Sequence, residues 1–189
     1  YILALADLAR IQKKWELAID YYVEGYNTNN LSTSALEQAL QIAIAINNFN
    51  KAQTICELLL IDQPENRKIV QTLLDLSLFN SNYELSLEML RKLEKINGVT
   101  SELAIQRSLI YQELGNEEEA RNVLLELVET DTQDIKVLDR LVNLLIDQKN
   151  NSQALIYNGH IIESFPNDPR GYINSAIIAM ANKNPEEAI

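Results

Sequence analysis

The sequence predicts an all-α fold, a right-handed alpha-alpha superhelix of stacked helix-turn-helix units, and three observations predict it. Ala18, Ala52, Ala120, Ala154 and Ala188, with Ser86 in the one gap, recur every 34 residues along the 189-residue chain. Apolar columns keep that same register on two separate helical faces. Asn, Gly, Ser, Lys and Pro punctuate the chain between those faces, and no strand-like alternation interrupts them. A fixed period of this length marks an array in which each unit buries its apolar face only against its neighbours.

The first helix of each unit is marked sixteen residues before the small residue by Ile2, Leu36, Val70, Ala104, Leu138 and Tyr172. The second helix carries Trp15, Phe49 and Tyr83, then Glu117, Asn151 and Pro185, three residues before the small position. Tyr22, Cys56, Leu90, Leu124 and Asn158 follow four after it, and Gly25, Leu59, Leu93, Leu127 and Ile161 seven after it. Offsets of three, four and seven lie on one face of a helix. Units are expected at about 1–32, 33–66, 67–100, 101–134, 135–168 and 169–189, the first and last partial, within a single array. No composition break divides it. With no initiator Met, the chain reads as a piece of a longer array.

Turn chemistry agrees in each unit. Within units the links fall at Asn47-Asn48, Asn80-Ser81-Asn82, Gly115-Asn116 and Asn150-Asn151. Ser34 with Glu37 has capping-box spacing at the start of the second unit. Asn116, followed by three glutamates, and Asn184, followed by Pro185, read as N-caps with acidic first turns that complement the helix dipole. Between units, Asn27 to Asn30, Gln63-Pro64-Glu65-Asn66, Asn97-Gly98 and Pro166-Asn167-Asp168-Pro169 end one helix before the next begins.

These features resemble the tetratricopeptide repeat, a helix-turn-helix unit of the same length, and Trp15-Glu16-Leu17-Ala18-Ile19-Asp20-Tyr21-Tyr22 is similar to that family's second helix. Pro64 and Pro166 stand where the family places its unit-ending proline. Ala6, Leu40, Leu74, Ser108, Val142 and Ala176 replace the family's first-helix glycine. Arg107 and Asn158 put polar atoms into apolar columns of the fourth and fifth units. The resemblance implies a scaffold that binds a peptide or a partner segment along the concave face formed by the first helices.

Composition narrows the function classes. A net charge of −11 opposes nucleic acid and anionic lipid, so neither nucleic-acid binding nor membrane insertion is expected. No apolar run approaches the roughly 20 residues of a membrane span. Cys56 is the single cysteine and reads as a small buried apolar residue, and His160, the single histidine, as a surface residue. No phosphate loop, Ser-His-Asp set, HExxH or CxxC pair is present, so no catalysis, metal or cofactor is expected. Asn and Ile richness with few Gly, Cys and Trp is the composition of an AT-rich bacterial genome.

Within the first helices, positions not claimed by apolar columns face the groove. In the first three units they include Asp7, Glu37, Gln38, Gln41, Gln71 and Asp75; in the last two, Lys136, Arg140, Asn143, Arg170 and Asn174. The latter five are the candidate site, because Arg and Lys donate charge-assisted bonds to carboxylates and Asn can bond a peptide backbone. An acidic segment is the expected ligand, and solvated surface charge is the alternative, since Asp139 and Asp147 lie close by. Lys136 with Arg140 is similar to one pair of the dicarboxylate clamp of cochaperone tetratricopeptide domains. Ile105, Gln106 and Leu109 stand where its other polar residues would be, so a chaperone-tail binder is not implied. Leu3, Ile105, Leu109, Ile173 and Ile177 are apolar at groove positions, as a patch for a partner's apolar side chains or a packing face for neighbouring units. Two other readings remain: the recruiting array of a larger enzyme, and a structural array self-associating through exposed terminal units.

Overall fold

Five residues spaced 34 apart, Lys13, Asn47, Ser81, Gly115 and Lys149, take positive φ values of 58, 57, 55, 74 and 58°. Each sits two residues past the end of a helix, just after its C-cap, and each is followed by the residue that precedes the next helix. The backbone pattern is the same every time. The N–H of the left-handed residue donates three residues back, as Asn47 N–H to Ile44 O, and the N–H that follows donates five back, as Asn48 N–H to Ala43 O. These paired bonds form the Schellman motif, which satisfies carbonyls that a helix end leaves open. Asn48, Asn82 and Asn150 then serve a second end, their side-chain oxygens accepting from the backbone N–H of Lys51, Leu85 and Gln153. Two residues thus close one helix and open another, which fixes the hairpin.

The computed structural model describes residues 1–130 and 134–182 and contains eleven helices among them. They are α1 Ile2–Ile11, α2 Trp15–Asn27, α3 Thr33–Ala45, α4 Phe49–Asp62, α5 Arg67–Phe79, α6 Tyr83–Asn97, α7 Ser101–Glu113, α8 Glu117–Glu129, α9 Ile135–Asp147, α10 Asn151–Ser164 and α11 Pro169–Asn182. No strand occurs among the described residues. The expected second helix of the sixth unit, with Asn184, Pro185 and Ala188, lies outside them.

The chain forms two compact units, Tyr1–Ile96 and Asn97–Ile189. In the first, α1 packs on α2, α2 on α3, α3 on α4 and α4 on α5. Ala18, Ala52 and Ser86 are fully buried, as are Tyr22, Cys56 and Leu90 one turn on. A small side chain at the crossing lets paired helices approach closely. Ser86 keeps that role by bonding: its hydroxyl meets that of Ser77 at 2.7 Å and donates to Asn82 O. Phe49 packs edge-on against Phe79 with ring centroids 4.6 Å apart.

In the second unit α7 pairs with α8, and α9 with α10. The first helices α7, α9 and α11 also pack side by side. The core is built from Ala120, Leu124, Leu138, Leu141, Val142, Leu145, Ala154 and Ile161 with their neighbours. Asn158, predicted as a polar intruder, is 1% exposed and donates through Nδ2 to Gly171 O and Ser175 Oγ, both at 2.8 Å. Gly171 is required at that contact, since a Cβ there would lie 2.7 Å from Ile162 Cγ1. Arg107 is mostly covered and lies 4.0 Å from Glu126.

Three local expectations change. Helix α3 starts at Thr33 with Ser32 at its N-cap, so Ser34, whose hydroxyl bonds Ser32 Oγ at 2.7 Å, lies inside the first turn and cannot cap a box with Glu37. Asn116 does precede α8 with its three first-turn glutamates, but its side chain makes no capping bond there. Tyr172 falls on an expected packing column yet is 54% exposed, its hydroxyl donating to Pro166 O.

Candidate functional site

The five predicted site residues lie on α9 and α11 of the second unit. Asp134 caps α9, its carboxylate accepting from Lys136 N–H at 2.8 Å. One turn inside, the Lys136 ammonium is exposed, and among the described residues it makes no hydrogen bond or ion pair. Four residues on, Arg140 is half-buried and donates through Nη2 to Gln112 Oε1 on α7, while its Nε is buried with no partner. Burial pulls the guanidinium pKa down, and the charge of Asp147 only partly opposes that shift. Arg140 is therefore a desolvated cation bonded to a neutral amide.

Asp139, which sequence reasoning treated only as a neighbouring charge, organises the other side of this face. Asn174 on α11 is 3% exposed and donates to Asp139 Oδ1 at 2.9 Å, and Asn143 donates to Asp139 O at 2.8 Å. Arg170 is committed at the start of α11. Its N–H, Nε and Nη2 bond the Asp168 carboxylate at 3.0, 2.9 and 2.9 Å. Those bonds hold the Asp168 carboxyl at about 2 and raise the Arg170 pKa, to which the charges of Asp139 and Asp134 add. The structure thus brings Asn143 and Asn174 together around Asp139, turns Arg170 back to its cap, and leaves Lys136 and Arg140 as the cations on the face. The signals were present. Asp168 stands two before Arg170 at an N-cap, and Asn174 lies 35 residues after Asp139, one off the repeat and so on the adjoining helix.

Apolar residues flank that polar centre. Leu109 on α7 and Ile173 on α11 are 44% and 54% exposed, and Ile105 and Ile177 beside them are half-buried. The expected acidic face of the first unit behaves differently: Asp7 accepts from Tyr22 Oη at 2.8 Å, and Gln71 donates to Asp75 at 2.9 Å, while Glu37, Gln38 and Gln41 are exposed. On the second-helix side of that unit a cleft of about 510 Å³ between α2 and α4 has Ile19, Val23 and Ile55 at its floor. Cys56 is buried, and burial pushes its thiol pKa up to about 12, which removes the thiolate at neutral pH. His160 is exposed and rests edge-on against Tyr157. Among the described residues no three His, Cys, Asp or Glu side chains gather as metal ligands, and no helix is long and apolar enough to cross a membrane.

Paired helices in a 34-residue register, with first helices side by side and polar side chains left on their face, define a tetratricopeptide-like helical-repeat protein of the protein-binding kind. The sequence matches the ChAPs family, described as Chs5p-Arf1p-binding proteins, over residues 17–189, and the chain belongs to that family. Solved structures agree on the fold. A tetratricopeptide repeat protein with an unusual peptide-binding site, YrrB, is 16% identical over 93% of this chain and 90% of its own, with a TM-score of 0.58. TTC0263, a thermophilic tetratricopeptide repeat protein of Thermus thermophilus, is 19% identical over 95% of this chain and 97% of its own, at 0.52. A chain of the Naa15/Naa10 complex bound to HypK-THB is 17% identical over 99% of this chain and 30% of that one, at 0.71. No curated protein matches the sequence significantly.

Proposed function

We propose that the chain is a protein-interaction array without chemistry of its own, and that it holds an acidic segment of a partner on the first-helix face of Asn97–Ile189. The observation that carries this reading is Arg140, a half-buried guanidinium with one N–H unpartnered and only a neutral amide on another. A carboxylate would bring an opposite charge and can accept two parallel bonds from the guanidinium, which the neutral Gln112 amide cannot, and Lys136 stands one turn away to share it. Within this proposal Asn143, Arg170 and Asn174 support the site: Asn174 and Arg170 hold and offset the charge of Asp139, which would otherwise repel an incoming carboxylate. The unbroken 34-residue register from Ser86 to Ala120 supports a single run of repeats along the sequence.

The family's description makes Chs5p and Arf1p the first partners to test. The experiment is capture of each purified protein by this chain and by a Lys136→Glu/Arg140→Glu variant with an unchanged circular-dichroism spectrum. Capture by the parent and loss by the variant is the expected result; equal capture by both would remove the basic pair from recognition.

A further inference from the structure

Helices α7, α9 and α11 pack side by side, so residues 34 apart lie in rows that cross all three. Ile105, Asp139 and Ile173 form one such row, and Leu109, Asn143 and Ile177 the next. Both rows read apolar, polar, apolar. The middle helix adds the cations Lys136 and Arg140, which share a helical face with Asp139 and Asn143 at offsets of three and four. Neighbouring packed helices stand about 8–10 Å apart, and an extended segment in the polyproline II conformation advances about 3.1 Å per residue with three residues per turn. A ligand in that conformation crossing the three helices therefore moves about three residues from one helix to the next and presents every third side chain to the same face.

From this geometry we infer the sequence class of the ligand: an extended segment with a large apolar residue, two spacers, an Asp or Glu, two spacers, and a second large apolar residue. The first apolar side chain meets Ile105 and Leu109, the carboxylate meets Lys136 and Arg140, and the second apolar side chain meets Ile173 and Ile177. This deepens the reading above and rests on it. Three features favour such an occupant. Leu109 and Ile173 expose apolar side chains to solvent at the two ends of the path, each with a half-buried isoleucine beside it, so covering them with a ligand's apolar side chains is favourable. The centre offers a cation short of anionic partners, whose pKa burial lowers. Asp139, the acidic group on the path, has one oxygen held by Asn174, and the two cations Lys136 and Arg140 outnumber it on this face of α9.

The test uses the full chain and fluorescein-labelled nine-residue peptides in fluorescence anisotropy. The parent peptide carries Leu and Leu three residues on either side of a central Glu, with Ser and Thr as spacers. Comparison peptides move one Leu by a single position, replace Glu by Lys, or place Pro at the spacers. The expected result is saturable binding that weakens about tenfold or more when either Leu is shifted or removed, is lost with Lys, and survives Pro, which an extended ligand accepts and a helical one does not. Leu109→Ser and Ile173→Ser change exposed side chains, so folding is retained and checked by circular dichroism; each is expected to weaken the parent peptide about tenfold. Loss of binding with Lys136→Glu/Arg140→Glu, but indifference to Leu spacing and to both Ser variants, overturns the sequence class and leaves the carboxylate site standing. Binding that survives the charge reversal overturns both. Loss on Pro substitution assigns the face to a helical partner and overturns the extended ligand, as does the absence of saturable binding by the parent peptide.

Discussion

Asn158 shows what a single polar side chain does in an apolar column. Its counterparts are Tyr22, Cys56, Leu90 and Leu124, yet it is buried with both amide hydrogens used and Oδ1 left without a partner. Gly171 O also accepts from Ser175 Oγ at 3.0 Å, so it does not depend on Asn158 alone. Replacing both the orphan acceptor and the donors by an apolar group of similar size is nearly neutral. Asn158→Leu is therefore expected within about 1 kcal/mol of the parent, whereas Asn158→Asp, which buries an unpaired charge, costs about 3 kcal/mol or more; urea unfolding measures both. Cys56 titrates only when the chain opens. Its folded pKa of about 12 lies above the ordinary thiol value of 9.0, so the unfolded chain releases the proton first. The native state accordingly loses stability as pH rises from about 9 towards 12, and thermal melts between about pH 8 and 10.5 should show a fall that Cys56→Ala lacks. Asp168 runs the other way: held near 2 by Arg170, it supports the start of α11 above its ordinary carboxylate range and loses that contribution as pH falls towards 2.

At the scale of the element, the hairpins repeat one solution with unequal residues. Gly115 enters the left-handed region without steric cost, and Asn47 tolerates it, but Lys13, Ser81 and Lys149 carry a Cβ there. Gly115→Ala should destabilise by about 1 kcal/mol, since the φ of 74° is fixed by the two Schellman bonds. Ser81→Gly and Lys149→Gly should be neutral or stabilising by up to about 1 kcal/mol, the relief of strain being partly offset by the freer unfolded chain. Thermal denaturation of the three variants side by side decides it, and equal losses in all three would mean the turn residue is held by packing instead of backbone conformation. The helix starts also differ in quality. Asn66 accepts from two backbone N–H groups and Thr100 from one, whereas Ser32 and Asn116 accept none.

For the whole molecule, surface charge and stability separate from each other. Lys136 is exposed and Arg140 gives up one bond to a neutral amide, so reversing both charges should lower stability by no more than about 1–3 kcal/mol while abolishing capture of an acidic partner. Binding and melting experiments on the same preparation test that separation. Packing and the proposed recognition fall on different residues of the same helix: Leu138, Leu141 and Val142 of α9 are core, while Lys136, Arg140 and Asn143 share another face. The polar links between successive units, such as Lys51 to Asp20, Gln148 to Glu117, Arg140 to Gln112 and Asn174 to Asp139, join residues 28–35 apart in sequence. Each therefore couples only neighbouring repeats, as an array of this kind requires.

The helices, their pairing and their buried columns were legible in the sequence because they rest on local periodicity. Ala18 and Ala52 announce a close crossing, and Asn48 or Gly115 a turn, whatever lies elsewhere in the chain. Family membership in the helical-repeat class follows from the same period. The candidate site was legible only as a set of residue types on a shared face. Which of them still holds an uncommitted donor depended on contacts a residue type does not encode: Asp168 turning Arg170 to its own helix start, Asn174 closing on Asp139, Gln112 reaching Arg140 from the preceding unit. The sequence alone determined the repeating backbone, since that is a sum of short-range preferences. The tertiary structure decided which polar groups satisfy one another, since hydrogen bonds are directional and compete for partners only once the helices stand side by side.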